Sequence, residues 1–409
     1  MATLSAPTSP GLSLGEGLSL LFKVVVVAPP HLLLSLLRCY TLAALRGIPL
    51  RHYAACAFYR VALHNLTPRQ LQFIQPPTPA VYTSWLTHRQ SRAAAKYKRD
   101  SADAEAAFLA SRLRLDTEPL PDGRSSLLWI GDRRRATRFV LFFHGGGYMV
   151  PALTGHMEWC ARAYLLASPA AAAAGKGGGK EDDEVAVAVL QYTLCPEATY
   201  PTQLRQAADA LAHLFASGRV RPGNLVIGGD SAGGNLTAQL LGHLLRPNPA
   251  VREVSLEERL AGAFLVSPVL SVSGHWASAK RNGAIDMLSA SSPASLKERL
   301  LNGVEDYQAE VKQRKGWAMP MDLEDAEGWF GGLDGVVKEV YVTAGEQEVL
   351  LDHGVAFADA VRRGNPGMEV RLEVMKNEAH DWILMEGGEG IEGDAMKRMR
   401  AWFKGVFDL

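Results

Sequence analysis

The hydrophobic pattern of this chain changes rhythm twice. Residues 18–37 are almost continuously apolar, LSLLFKVVVVAPPHLLLSLL, a run long enough to span a bilayer. Lys23, the Pro29-Pro30 pair and His31 interrupt it, and a charge within a span is costly. A helix read from Pro30 onward gathers His31, Ser35, Arg38 and Arg46 into a narrow polar stripe. Such a helix suits a buried cap, a segment lying on a membrane, or the end of a kinked span. Helical spacing continues irregularly to about Leu71, and QPPTPA at 75–80 breaks it. Residues 91–114 then read as one charged, alanine-rich helix.

Beyond residue 115 short β-rich runs alternate with helical ones. The runs lie at 125–131, 138–144, 184–192, 224–229, 262–268, 339–345 and 368–375, with helical spacing at 202–217 and 232–245. Nearly continuous apolar strands separated by helices predict an α/β domain: a mostly parallel sheet covered by helices on both faces. Two stretches do not fit. Residues 170–184 are low in complexity and read as a surface loop. Residues 271–338 are polar, helix-rich and too long for one crossover, and read as an inserted helical lid over the carboxyl ends of the strands. The chain therefore divides into a flexible N-terminus at 1–17, an apolar helical extension at 18–115, and an α/β domain at 116–409.

Composition narrows the function. Lys plus Arg and Asp plus Glu both number 43, so the chain lacks the basic excess of a nucleic-acid protein. The four cysteines form no C-x-x-C pair, which argues against a disulfide scaffold or a zinc site. Residues 1–17 carry only Glu16 and no basic cluster, unlike a secretory signal. If the apolar run spans a membrane, Arg38, Arg46, Arg51, Arg60 and Arg69 follow it and hold the rest on the cytosolic side. The expectation is a cytoplasmic protein, or a membrane-associated one facing the cytosol through residues 18–46. N-x-T occurs at Asn65 and Asn235; the second falls inside the α/β core, where a glycan has no room.

Two glycine-rich motifs carry chemistry. Gly229-Asp230-Ser231-Ala232-Gly233-Gly234-Asn235 follows an apolar strand and opens a helix. G-x-S-x-G alone is a weak signal, but strand, tight turn and helix in that order lift a serine hydroxyl clear of a sheet. The bland alternative is a glycine turn with an inert serine. His144-Gly145-Gly146-Gly147-Tyr148 also follows a strand. Three glycines leave backbone N–H groups unshielded, as an oxyanion hole requires. No G-K-[ST] follows, so a nucleotide loop fails.

With these motifs the chain resembles the α/β-hydrolase fold and, within it, the hormone-sensitive-lipase family of esterases. That family joins H-G-G-G to G-D-S-A-G-G, and its Y-R-L-A-P-E…F-P segment matches Tyr192-Thr193-Leu194-Cys195-Pro196-Glu197 followed by Tyr200-Pro201. Thr193 stands where arginine is usual. The resemblance runs from about Leu127 to Trp402 and implies a Ser-acid-His triad in that order. The acid motif G-x-x-D-x-L-x-D falls on 345–352, placing Glu348 at the acid position and Asp352, on the first turn of the next helix, as the alternative. The histidine is His380, although Asn377 replaces the family's glycine. His156, His213 and His243 lie on helices and read as structural. The implied mechanism is acyl transfer by Ser231, His380 and Glu348, with Gly145, Gly146 and Ala232 as oxyanion donors and no metal or cofactor.

The function so implied is hydrolysis of a small-molecule carboxylic ester, an acetyl or short acyl ester of a bulky apolar alcohol. The chain is similar to fungal-type steryl acetyl hydrolases and secondary-metabolite tailoring hydrolases in carrying an apolar extension before this core. A triad-bearing pathway enzyme promoting lactone or condensation chemistry stays open. The plant gibberellin receptors also resemble the family but lack the histidine, which His380 supplies here.

Overall fold

A computed structural model describes residues 11–173 and 183–409. Eight strands form one sheet: β1 (Thr117–Pro119), β2 (Ser126–Ile130), β3 (Arg138–Phe143), β4 (Val185–Gln191), β5 (Leu225–Asp230), β6 (Gly262–Val266), β7 (Glu339–Gly345) and β8 (Glu369–Met375). Their order is β1-β2-β4-β3-β5-β6-β7-β8. The first two pairings are antiparallel, and β4 through β8 are parallel. The architecture is therefore α/β, mostly parallel, as the alternating rhythm predicts; β1 is too short and polar to have shown in the pattern.

Strand residues alternate between two apolar cores, because successive side chains leave a sheet on opposite faces. Along β3, Phe139, Leu141 and Phe143 join one core, and Val140 and Phe142 the other. The first core takes in α9 (Thr202–Ala216) and α10 (Ala232–Leu245); the second takes in α7 (Thr154–Ala163) and the C-terminal helix Asp394–Phe407. Both faces are covered, which explains why the central strands are apolar throughout.

The extension differs from its expected form. The helix begins well before Pro30. α1 (Leu14–Phe22) is capped by a reciprocal Ser13–Glu16 box, passes through a π turn (Lys23–Val27) and continues as α2 (Ala28–Arg46). The proline pair does not break it, because the wider π turn relieves the clash of the rings with the preceding carbonyls. Residues 14–17, expected to be flexible, are thus helical; residues 1–10 of that segment lie outside the described residues. α3 (Leu50–Asn65) and α4 (Pro68–Ile74) follow. The single helix expected at 91–114 is two, α5 (Thr78–Arg99) and α6 (Ala104–Arg112). Asp103 separates them: its carboxylate accepts from Ala106 N at 2.8 Å and starts a new helix. Between these helices and α9, α8 (Pro169–Ala173) opens the stretch expected as a loop at 170–184, most of which lies outside the described residues.

The insertion between β6 and β7, expected as one lid, serves two places. Its early part, with α11 (Ala277–Asn282) and residues 283–288, meets the carboxyl ends of the strands and the N-terminal helices. Its later part packs on α10: Asn235 Nδ2 donates to Ala318 O at 3.0 Å and Trp317 Nε1 to Arg246 O at 2.6 Å. The cover over the strand ends is therefore shared with α2 and α3.

Candidate active site

The serine motif folds as a strained elbow. β5 ends at Asp230, α10 begins at Ala232, and Ser231 between them has φ 50 and ψ −110. A non-glycine residue holds such a conformation only where the surroundings force it. The forcing element is the end of β3, since a Cβ on Gly229 or Gly233 would run into the Phe143 carbonyl. The flanking glycines exist for that close approach.

His380 reaches the serine from the loop after β8. Its Nε2 lies 2.9 Å from Ser231 Oγ, and its Nδ1 lies 3.3 Å from Glu348 Oε2. All three side chains are buried; Ser231 is 7% exposed and Glu348 0%. The structure thus brings Ser231, His380 and Glu348 together. Asp352 is elsewhere: its carboxylate accepts from Ser278 N of the insertion at 2.7 Å.

The oxyanion loop requires a correction. Gly145 N–H donates to Asp230 Oδ1 at 3.0 Å, so it is not available to an oxyanion. Its role is to tie the glycine loop to the elbow. The Gly146 and Ala232 N–H groups have no acceptor among the described residues. Gly146 sits at φ 101, and a side chain there would strike Val150.

His156, read as structural from its place on a helix, completes this tie. Leu153 N donates to its Nδ1 at 2.8 Å, so the ring proton sits on Nε2 and points at Asp230 Oδ2, 3.2 Å away. Tyr192 OH donates to His144 O at 2.7 Å, and Tyr148 OH to Asn235 Oδ1 at 2.7 Å. Asn235 is wholly buried and occupied. Thr193, where the family has arginine, is held by Gln206, whose amide accepts from Thr193 N and donates to Thr193 Oγ1, both at 2.8 Å.

Two carboxylates at the site left no mark in the sequence. Asp286, from the insertion, accepts from His380 N at 3.0 Å with one oxygen and from Val349 N at 2.7 Å with the other. It clamps the histidine loop to the acid loop. α2 and α3 brace the same loops. Arg60 Nη1 donates to Gly283 O at 2.7 Å, and Tyr53 OH to Asn377 O at 2.8 Å; Arg46 reaches Asn282 Oδ1 at 2.9 Å. Asp381 follows the histidine in a left-handed conformation, with Oδ2 3.2 Å from His380 Nε2. Neither residue belongs to a periodic pattern, so only a contact map could find them.

These carboxylates set the electrostatics. Burial disfavours the His380 imidazolium, but Asp381 and Glu348 outweigh it and hold the pKa well above the ordinary imidazole value. Burial raises the Glu348 carboxyl, with His380 pulling the other way. A base must be neutral to accept a proton. The acid limb of kcat/KM is therefore expected above the usual histidine value of about 6.5. Asp381→Asn removes one stabilising charge and is expected to move that limb to lower pH. A pH–rate profile checks this, and an unmoved limb would show that Asp381 does not act on His380.

The chain is similar to known proteins over the region that holds this site. A family model described as alpha/beta hydrolase fold matches residues 180–384, a span holding Ser231, Glu348 and His380 but beginning after the glycine loop. The chain is 25% identical over 277 residues to Lipase 2 of Moraxella sp. (strain TA144), covering 62% of this chain and 56% of that protein. It is 27% identical over 275 residues to Acetyl-hydrolase of Streptomyces hygroscopicus, covering 66% and 78%. A crystal structure of an esterase from the bacterial hormone-sensitive lipase family superposes with a TM-score of 0.54 at 22% identity, covering 80% of this chain and 98% of that one. The chain spans little more than half the length of the Moraxella lipase.

Proposed function

The chain belongs to the α/β-hydrolase fold family, and from that premise we propose that it is a serine hydrolase of carboxylic esters. The observation that carries the reading is the relay at the elbow, with His380 Nε2 2.9 Å from Ser231 Oγ and Nδ1 3.3 Å from Glu348. His380 takes the serine proton as Oγ attacks the ester carbonyl. Glu348 fixes the imidazole tautomer and stabilises the imidazolium. Gly146 and Ala232 N–H groups, one on the glycine loop and one at the start of α10, receive the oxyanion, and Asp230 keeps that loop in place. His380 then protonates the leaving alcohol, and water, deprotonated by the same imidazole, releases the acyl group.

For the substrate we propose an acetyl or short acyl ester of a bulky apolar alcohol. An acetyl-hydrolase is among the similar proteins. Leu71 of α4 packs with Met149 and Val150 just beyond the glycine loop, lining that side with apolar groups. The test is product analysis on a panel of acetylated and lactone-bearing apolar compounds, with Ser231→Ala as control. Stoichiometric release of acid and alcohol is expected from the native protein alone. A rearranged or condensed product in place of a free acid would overturn hydrolysis and favour the lactone or condensation reading.

A further inference from the structure

We propose that α1–α2 lies flat in the surface of an anionic bilayer, as an in-plane seat for the whole protein rather than a span. The helix Leu14–Arg46 has a mean hydropathy of 2.0 over its most apolar window, none of which is buried. Its outward side presents Leu18, Leu21, Phe22, Val25, Leu34 and Leu37, each at least 58% exposed. Phe58 of α3 and Phe73 and Ile74 of α4 are exposed as well, at 60%, 48% and 47%. A surface of that extent, built of aliphatic and phenyl side chains with Arg38, Tyr40 and Thr41 exposed near one end, matches hydrocarbon beneath a headgroup layer.

The other side of the same helix is strapped to the protein from end to end. Arg69 pairs with Glu16 at 2.9 Å, Lys23 Nζ donates to Gln70 Oε1 at 3.1 Å, and His31 Nδ1 lies 3.2 Å from Asn65 Oδ1. Cys39 and Ala43 are buried, and Arg46 holds Asn282. α4 is itself fixed to the body, since Gln72 Nε2 donates to Met149 O at 2.9 Å and Cys195 O at 2.7 Å. From Glu16 to Arg46 the helix rises ~45 Å, beyond the ~30 Å of a hydrocarbon core. Were it to cross, α3, α4 and the polar straps would have to enter the hydrocarbon with it.

The π turn serves this arrangement. At ~100° per residue, Arg46 would point ~120° away from Glu16, and five residues in a wider turn return it by roughly 90°. One face thus stays on the protein and the other on the membrane for the full length.

Charge selects the lipid. From Gly17 to Ile74, the stretch that builds α1–α4, the chain holds six Lys and Arg and neither Asp nor Glu, in a protein whose net charge is zero. An apolar layer whose charges are of one sign complements anionic headgroups.

The test uses the full chain and sealed vesicles of phosphatidylcholine, alone or mixed with phosphatidylserine. The protein is expected to float with vesicles, more strongly with phosphatidylserine, and high salt should weaken it. Val25→Asp, Leu34→Asp and Leu37→Asp combined should lower partitioning about a hundredfold or more, with hydrolysis of a water-soluble ester retained. Binding is read without turnover, so it stands or falls apart from the proposed activity. Because the native cysteines are buried, Thr3→Cys and Glu257→Cys report sidedness. Both should react with an impermeant maleimide added outside intact vesicles. Protection of residue 3 alone would establish a span and overturn the seat. Failure of the native protein to float, or equal flotation of the triple variant, would overturn it too; self-association without vesicle binding would assign the apolar face to a second copy.

Discussion

Ser231→Ala is expected to reduce ester turnover by about five orders of magnitude while leaving the fold intact. Among the described residues His380 Nε2 meets Ser231 Oγ and Asp381 Oδ2 and no second hydroxyl or thiol that could replace the nucleophile. The alanine keeps the elbow's backbone and removes one oxygen. It disturbs no packing, because the close contacts there are made by the flanking glycines against Phe143. Steady-state kinetics and a thermal denaturation of both proteins check the two halves. Activity within tenfold of native would remove Ser231 from the mechanism, and a collapsed melting temperature would void the comparison.

Glu348→Gln is expected to cost about 10³- to 10⁴-fold in kcat. The amide can still meet His380 Nδ1, but by donating its own N–H it places the ring proton on Nε2, facing Ser231. The imidazole is then a donor where an acceptor is needed, and its positive charge loses its counter-ion. Asp352→Asn is expected to stay within about tenfold of native, because its carboxylate serves Ser278 N and not the histidine. Kinetics of the two variants side by side decide the register. A larger loss at residue 352 than at 348 would exchange the roles.

Much of this protein is legible along the chain. The alternation of buried strands with amphipathic helices follows from a sheet covered on both faces, and it announced seven of the eight strands. Ser231 stands in a local motif whose glycines answer one need, the passage of the elbow past Phe143, and His380 stands just after the last strand, where the family resemblance implies it. Glu348 came from a register of eight residues. What the chain could not announce depends on contacts between distant segments. Asp230 takes the Gly145 N–H across an 85-residue separation. Asp286 joins two loops 63 and 94 residues away. A carboxylate that binds backbone N–H groups asks for no particular partner side chain, so neither end carries a signature. The N-terminal helix is the clearest case. Its apolar composition is plain in the sequence, and spanning, capping and lying flat all follow equally from that composition. Only the folded chain shows which side is strapped to α3 and α4 and which side is bare, because that depends on a π turn whose effect is to hold one face inward over about nine turns of helix.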